Sequence, residues 1–339
     1  MRNVGQSLLR PDIRGVLSEI VGKRLRMAQD GASASAVARK SASVGRRLPD
    51  WFRTSLPTGD AQRLFNMTKD AISELDLNTV CQEARCPNIH ECWGRGTATF
   101  MVAGQECTRA CRFCAVGSTK RPPPLDPEEP ANLATAIKLM NLKHAVITVV
   151  NRDDLEDSGA QHYRNCIIEA NRVCPDVTLE LLSSDLAGDL NDLKLLLTNL
   201  PLQIFAHNVE CVPRLDSLVR DPRASFTQSL EILKEAKRLR PDMLTKSSIM
   251  VGLGESDEEV VETMKLLREI DVDILTIGQY LQPHKKLLKV RRFPEPAKFE
   301  EWREIAEELG FKGVASGPLV RSSYKSGLLL REISNHKHQ

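Results

Sequence analysis

Short apolar runs alternate with longer amphipathic segments along most of the chain, and this alternation predicts its secondary structure. Each short run holds about five to seven residues rich in Val, Ile, Leu, Thr or Phe, which is typical of strands buried in a parallel sheet. The predicted strands are residues 97–103, 145–150, 177–182, 203–207, 246–251 and 274–280.

The longer segments have apolar residues at helical spacing, as shown by Phe226, Leu230 and Leu233. Ser225 and Ser256 stand where N-caps are expected. The predicted helices are residues 131–142, 161–173, 189–200, 226–239 and 257–270. This alternation predicts a parallel α/β fold of about six units, fewer than the eight of a closed barrel. Periodicity alone leaves an open barrel and a doubly wound sheet as alternatives.

The first 49 residues differ in composition from the rest, with ten Lys or Arg against three Asp or Glu. They also hold twelve Ser or Ala and no aromatic residue, and residues 10–27 place apolar side chains near one face of a helix. This composition predicts an organellar transit peptide. A disordered or helical extension is the alternative.

Overall composition limits the possible functions only broadly. With 339 residues, 41% of them hydrophobic, and a net charge of +2, the chain is expected to be a soluble protein of one large domain with extensions. The near-neutral charge gives no sign of nucleic-acid binding. No apolar stretch reaches the roughly 18 residues that a membrane helix needs.

Six of the nine cysteines form two blocks with different spacing. The downstream block, Cys107, Cys111 and Cys114, reads Cys-x3-Cys-x2-Cys. The upstream block, Cys81, Cys86 and Cys92, reads Cys-x4-Cys-x5-Cys. Three thiolates are one short of a closed tetrahedral metal site, so the blocks suggest two iron–sulfur clusters, each with one iron held by another ligand.

Disulfides and zinc are the alternatives for these cysteines. A chain with this much apolar sequence does not need disulfides to stabilise a core. Zinc also binds thiolates, and His90 inside the upstream block is a candidate ligand to complete a zinc site. The isolated Cys166, Cys174 and Cys211 receive no role, since free cysteine is commonly a small buried apolar residue.

The downstream block, with Phe113 before its last cysteine, resembles the signature of the radical S-adenosylmethionine superfamily. The resemblance implies that the three thiolates hold three irons of a 4Fe–4S cluster. It also implies that the fourth iron binds the methionine group of S-adenosylmethionine. One electron from the cluster then releases a 5′-deoxyadenosyl radical.

The upstream block resembles the auxiliary-cluster motif of the lipoyl synthase family in residues 81–88 and 91–93, and so does the junction 97–101. Residues 317–324, Gly-Pro-Leu-Val-Arg-Ser-Ser-Tyr, resemble the closing motif of that family. There a serine oxygen is the fourth ligand of the auxiliary cluster. The resemblance gives this role to Ser322, with Ser323 as the alternative. A further alternative is that the two serines form an ordinary polar turn and bind no iron.

The resemblance implies a partial (β/α)6 TIM-type barrel whose N- and C-terminal extensions cover the auxiliary cluster. The implied divisions are residues 1–49 (transit peptide), 50–96 (extension with the auxiliary cysteines), 97–312 (barrel) and 313–339 (extension with the serine). The implied reaction is radical insertion of two sulfur atoms at carbons 6 and 8 of a protein-bound octanoyl-lysine. A non-catalytic iron–sulfur or zinc module, or another radical sulfur-inserting enzyme, is the alternative.

Polar residues and glycines near the ends of the predicted strands are expected to bind S-adenosylmethionine, because ligands gather at the carboxyl ends of parallel strands. Together with Phe113 they are Asp153, Asp154, Glu180, Asn208, Gly252, Gly254 and Gln279. The two aspartates could equally be solvated loop carboxylates, and residues 252–255 could be only a tight turn. Departures from the family pattern occur at Asn151, Ser158, Ser184 and Ala206.

The resemblance also implies partners and a location. The expected partners are octanoylated lipoyl carrier domains of 2-oxoacid dehydrogenase acyltransferase subunits and of the glycine cleavage H protein. An electron donor such as ferredoxin and iron–sulfur carrier proteins are expected as well. The basic residues at 285–286 and 291–292 form either a solvated face or a surface for an acidic carrier domain. The N-terminal composition points to the mitochondrial matrix.

Overall fold

The computed structural model describes residues 48–336 except residues 55, 76, 84, 85 and 96. The predicted transit peptide, residues 1–49, lies outside the described residues apart from its last two. No helix in the described part of the chain is both long and apolar enough to span a membrane.

Parallel strands form the centre of the molecule and follow one another across the sheet in chain order. They are β2 (Thr99–Val102), β5 (His144–Val149), β6 (Thr178–Leu182), β7 (Ile204–Ala206), β8 (Leu244–Val251), β9 (Ile274–Gln279) and β10 (Gly313–Gly317). The short strand β1 (Asn78–Thr79) pairs antiparallel with β2, whereas β3 (Glu106–Cys107) and β4 (Gly117–Ser118) form a separate ladder. Over the described ranges β1 and β10 are free edges, so the barrel is open and the predicted fold class is confirmed.

Helices cover the outside of the sheet and connect its strands. In chain order they are α1 (Asp60–Glu74), α2 (Val80–Glu83), α3 (Ile89–Gly94), α4 (Glu129–Leu139), α5 (Ala160–Val173), α6 (Leu190–Leu197), α7 (Asp216–Val219), α8 (Phe226–Leu239), α9 (Asp257–Glu269), α10 (Pro296–Glu308) and α11 (Ser326–His336). The predicted caps are confirmed: Ser225 accepts from the amide of Gln228, and Ser256 forms a capping box with Glu259.

The predicted strands and helices are all present, with bounds that differ by at most three residues. Strand β10 was not predicted, because its sequence Gly-Val-Ala-Ser-Gly lacks the β-branched run that marks the other strands. It pairs in parallel with β9 over its whole length. The predicted C-terminal extension therefore begins as part of the sheet.

The C-terminal helix α11 closes the amino-terminal end of the barrel. Its Leu329 and Ile333 pack against the first residues of three strands, Ile204, Leu244 and Ile274. With this end covered, the opposite end, where the strands finish, is left to hold a cavity.

Candidate metal and cofactor site

A cavity of about 820 Å³ lies at the carboxyl ends of the strands. This volume is within the range of about 300–1,000 Å³ that is usual for small-molecule and cofactor sites. Polar side chains at successive strand ends line it, including Asn151 after β5, Ser183 after β6, His207 after β7 and Gln279 in β9. The departures Asn151 and Ser184 from the family pattern both lie on this wall.

Cys107, Cys111 and Cys114 lie together in the wall of this cavity. The amides of Arg109 and Asp221 donate to Cys107 Sγ and Cys111 Sγ, each at 3.4 Å. Burial raises the pKa of Cys111 to about 11 and that of Cys114 to about 12. Half-buried sulfurs that receive main-chain N–H groups suit an iron–sulfur cluster, whose own positive charge replaces the thiol protons.

A buried arginine fixes the loop that carries these cysteines. Arg109 donates to Asp153 at 2.7 Å and to Asp185 at 2.6 Å, so it joins the loop to the ends of β5 and β6. Burial alone would raise the pKa of Asp153, but hydrogen bonds from Arg109 and Thr108 outweigh it and the net change is downward. Asp153 therefore holds the cluster loop, and its carboxylate is already occupied.

Asp154, another predicted cofactor residue, also has a protein partner in place of a ligand. Asp154 accepts two bonds of 2.8 Å from Arg152, which in turn donates to the carbonyl of Ala103 just after β2. Asp153 and Asp154 line a separate cavity of about 390 Å³ and do not line the larger one.

Glu180 lies inside the barrel, away from both cavities. Its carboxylate accepts from Lys246 at 2.8 Å and from the hydroxyl of Ser326, and His144 lies at 3.4 Å. The structure therefore does not bring Glu180 to either cavity, because its side chain points into the barrel and pairs with a buried cation there; its role in binding the cofactor stays a prediction.

The glycines at 252 and 254 form a turn whose main-chain amides are already hydrogen-bonded to a side chain of the protein. The Glu255 carboxylate accepts from the amides of Gly252, Leu253 and Gly254 at 2.6–3.1 Å. Gly252 has φ of +93°, and a Cβ there would stand 2.1 Å from Gln279 Nε2. The turn therefore packs against the side chain of Gln279, and neither glycine lines the cavity.

Three other predicted residues, Phe113, Asn208 and Gln279, do line the cavity. Asn208 Oδ1 and Gln279 Oε1 are buried and lack a hydrogen-bond partner among the described residues, and Ser183 Oγ is in the same state. Buried acceptors without donors are costly. S-adenosylmethionine carries an ammonium group, an exocyclic amine and ribose hydroxyls, so the donor groups of this cofactor fit the unpaired acceptors of the cavity.

Glu210, to which the sequence assigned no role, lies beside the cluster loop and lines the same cavity. It has φ of +68°, accepts from Asn208 Nδ2 at 3.2 Å, and burial raises its pKa. Its position just after the end of β7 was the available signal. Arg109 and Asp185 were also missed, because the bond between them joins residues far apart in sequence.

Cys81, which is buried, and Cys86 and Cys92, which are half-buried, form a second group where the N-terminal helices meet β2. Burial raises the pKa of all three thiols, that of Cys92 to about 12, and each lies close enough to affect another. The main-chain amides of Thr99 and Asn88 oppose the rise at Cys81 and Cys86. The three sulfurs and nearby amides repeat the donor set of the first block and fit a second cluster.

The spacing of the sulfurs disfavours a single zinc ion. Zinc with Zn–S bonds of about 2.3 Å brings its sulfurs within about 3.8 Å of one another. Within the described residues, the one group of three His, Cys, Asp or Glu ligand atoms that all lie within 4.8 Å is Glu129, His162 and Cys166. His90, whose ring stacks on Phe65 at 5.1 Å, does not belong to that group.

The C-terminal motif is tied to the second cysteine group from several sides. Asn88 Nδ2 donates to the Leu319 carbonyl at 2.6 Å, and the Tyr324 hydroxyl donates to Glu91 at 3.0 Å. Ser322 lines the large cavity, whereas Ser323 accepts from the hydroxyl of Thr99 at 2.8 Å. Both serines thus lie near the second group, and the choice of Ser322 as the ligand stays a prediction.

Comparison with known proteins agrees with this arrangement. Residues 101–267 match the radical SAM superfamily, and residues 11–86 match the N-terminal domain of lipoyl synthase. Mitochondrial lipoyl synthase of Bos taurus is 51% identical over 287 residues, which cover 83% of this chain and 76% of that protein. The chain belongs to the lipoyl synthase family. The mitochondrial enzyme of Rattus norvegicus (52% identity, covering 83% of this chain and 76% of that one) and the chloroplastic lipoyl synthase of Arabidopsis thaliana (51%, covering 84% and 72%) are similarly related.

A solved structure supports the fold alone. The FeFe-hydrogenase maturase HydG from Carboxydothermus hydrogenoformans superposes with a TM-score of 0.51 at 15% identity, covering 95% of this chain and 68% of that one. As a member of the lipoyl synthase family, the chain is a radical S-adenosylmethionine sulfurtransferase that uses iron–sulfur clusters and acts on lipoyl carrier proteins. It converts protein-bound octanoyl-lysine to lipoyl-lysine.

Proposed function

We propose that the chain holds two 4Fe–4S clusters with different tasks, one on Cys107, Cys111 and Cys114 and one on Cys81, Cys86, Cys92 and Ser322. The observation that carries this proposal is that both groups adjoin one cavity. The first group lines it directly, and the neighbours of the second group in the sequence, Val80 and Pro87, line it together with Ser322. A substrate chain in this cavity would be within reach of both groups.

The cavity residues bind and orient S-adenosylmethionine in this proposal. Asn208 and Gln279 offer unpaired buried oxygens to its donor groups, and Phe113 packs against it. Arg109 and Asp153 keep the cysteine loop in place. When bound, the clusters supply the electron that cleaves the sulfonium and the sulfur that is inserted into the octanoyl chain.

The same proposal includes the divisions of the chain and its location. Residues 50–96 and 313–339 serve as extensions around the barrel of residues 97–312, and residues 1–49 act as a transit peptide for the mitochondrial matrix. The mitochondrial lipoyl synthases of Bos taurus and Homo sapiens, each 51% identical to this chain, and the basic N-terminal composition support this. A chloroplastic relative has equal identity, so import into isolated mitochondria is the deciding assay.

The substrates and helpers we propose are specific. The substrates are the octanoylated domains of 2-oxoacid dehydrogenase acyltransferase subunits and the glycine cleavage H protein. A ferredoxin-type donor supplies electrons, and iron–sulfur carrier proteins load the clusters. Turnover measured with each carrier and each donor in turn would test these choices.

Replacement of Cys81, Cys86 and Cys92 by Ala tests the division of labour. Deoxyadenosine should still form, because the first group is intact, but lipoyl product should be absent because its sulfur source is gone. Mass spectrometry of the reaction mixture, with an octanoyl-lysine peptide as substrate, measures both products. Sulfur insertion by this variant would contradict the proposal.

A further inference from the structure

A run of cations lies where the large cavity meets solvent. Residues 281–292 contain five Lys or Arg and no Asp or Glu, in a chain whose net charge is only +2. Lys286 is exposed and also lines the cavity, as does its neighbour Leu287. The run therefore forms one side of the cavity mouth.

Most of these cations have no anionic partner. Of the five, only Arg292 is paired, with Glu255 and Asp257. Within the ranges that the structure describes, no carboxylate lies within 4.0 Å of Lys285, Lys286, Lys289 or Arg291. Arginines on the outer helix faces are instead commonly paired one turn away: Arg172 with Glu169, Arg238 with Glu235, and Arg303 with Glu300.

The run is held firmly against the cluster loop. The amide of Leu288 donates to the Arg112 carbonyl at 3.0 Å, and the Tyr280 hydroxyl donates to the Leu288 carbonyl at 2.9 Å. Gln282 Nε2 donates to the Leu287 carbonyl at 2.8 Å. Arg112 is itself exposed and, among the described residues, has no ion-pair partner. The cations thus have fixed backbone positions, as a recognition surface requires.

We infer that these residues, Arg112, Lys285, Lys286, Lys289 and Arg291, form a cationic rim that docks an acidic face of the octanoylated carrier protein. The inference rests on the proposed function, in which the substrate lysine belongs to a folded protein. Such a protein must cover the cavity mouth while its acylated lysine enters. Unpaired fixed cations there favour an acidic partner and speed its encounter.

The double variant Lys285→Glu/Lys289→Glu tests the rim without altering a residue that lines the cavity. The matched control is Lys143→Glu/Lys234→Glu, which makes the same charge change at exposed sites: Lys143 precedes β5 at the far end of the barrel, and Lys234 lies on α8. Both variants and the unaltered chain, with clusters reconstituted, are assayed with dithionite as reductant. The two substrates are an octanoylated carrier domain and a short neutral octanoyl-lysine peptide.

The rim variant should raise KM for the carrier domain by about tenfold or more at low ionic strength, and the difference should shrink in 0.5 M salt, where the Debye length falls to about 4 Å. Turnover of the peptide should be unchanged, and the control should match the unaltered chain on both substrates. An unchanged KM for the carrier domain would overturn the inference. So would an equal loss on both substrates. Absence of lipoyl product from the unaltered chain with either substrate would instead contradict the proposed function.

Discussion

The ion pair between Lys246 and Glu180 offers a sharp test of how the barrel interior is stabilised. Both side chains are 1% exposed, and Lys246 Nζ also lies 2.8 Å from the Ser326 hydroxyl at the start of α11. Lys246→Met would leave the carboxylate buried with His144 and Ser326 as its remaining neighbours. Burial pushes the pKa of Glu180 up, but Lys246 and His144 more than reverse this and hold the pKa at about 2.

The magnitude follows from that value. A carboxyl whose pKa falls from 4.5 to about 2 on folding contributes about 3 kcal/mol at neutral pH, close to the range of about 3–5 kcal/mol for removing one partner of a buried pair. Because the folded pKa is below the unfolded value, this stabilisation is present above about pH 4.5 and is lost as pH falls toward 2. Without Lys246 the folded pKa rises, so the loss caused by Lys246→Met should be largest near neutrality and smaller at pH 5.

Urea unfolding of the reconstituted protein at pH 8 and pH 5, followed by circular dichroism under anaerobic conditions, measures the effect. Lys298→Met is the control, because its pairs with Asp257 and Glu301 are partly exposed to solvent and should matter far less. Glu180→Gln combined with Lys246→Met should recover much of the loss. A change of less than about 1 kcal/mol at pH 8, or an equal loss at both pH values, would refute the reasoning.

Three other changes address the site. In Arg109→Lys the ammonium group cannot bridge Asp153 and Asp185 as the guanidinium does, so cleavage of S-adenosylmethionine should fall at least about tenfold. The helix content measured by circular dichroism should stay constant, and unchanged cleavage would contradict the role of Arg109. Asn208→Ala should weaken S-adenosylmethionine binding about tenfold in titration calorimetry, as expected for one lost hydrogen bond to a charged or polar group. An affinity equal to that of the unaltered chain would show that the Asn208 oxygen faces no ligand. Ser322→Ala should impair sulfur transfer more than Ser323→Ala in assays of lipoyl product, and the reverse order would move the ligand by one residue.

The strands were predictable because burial on both faces demands continuous β-branched and apolar runs, and such runs survive in the sequence. The helix α10 and the strand β10 were not predicted. Phe299, Trp302 and Ala306 give α10 a buried face, but β10 is a glycine-rich segment whose pairing with β9 depends on tertiary packing. Local propensity carries no record of such packing.

The cysteine groups were predictable because metal ligands repeat at close spacing along the chain. The carboxylates were harder, because the partner decides the role of each. Glu180 and Asp153 stand near strand ends or within strands, as ligand-binding residues do, yet their partners Lys246 and Arg109 are 66 and 44 residues away. Only the folded chain shows that these charges are already neutralised, and that Asn208 and Gln279 retain free oxygens.

Counting iron and sulfide after anaerobic reconstitution tests the central claim most directly. If each cysteine group holds one 4Fe–4S cluster, the intact chain should bind about eight iron and about eight sulfide, and the variant with Ala at Cys107, Cys111 and Cys114 should bind about half of each. About four iron in the intact chain, or zinc in both sites under anaerobic conditions, would contradict the account.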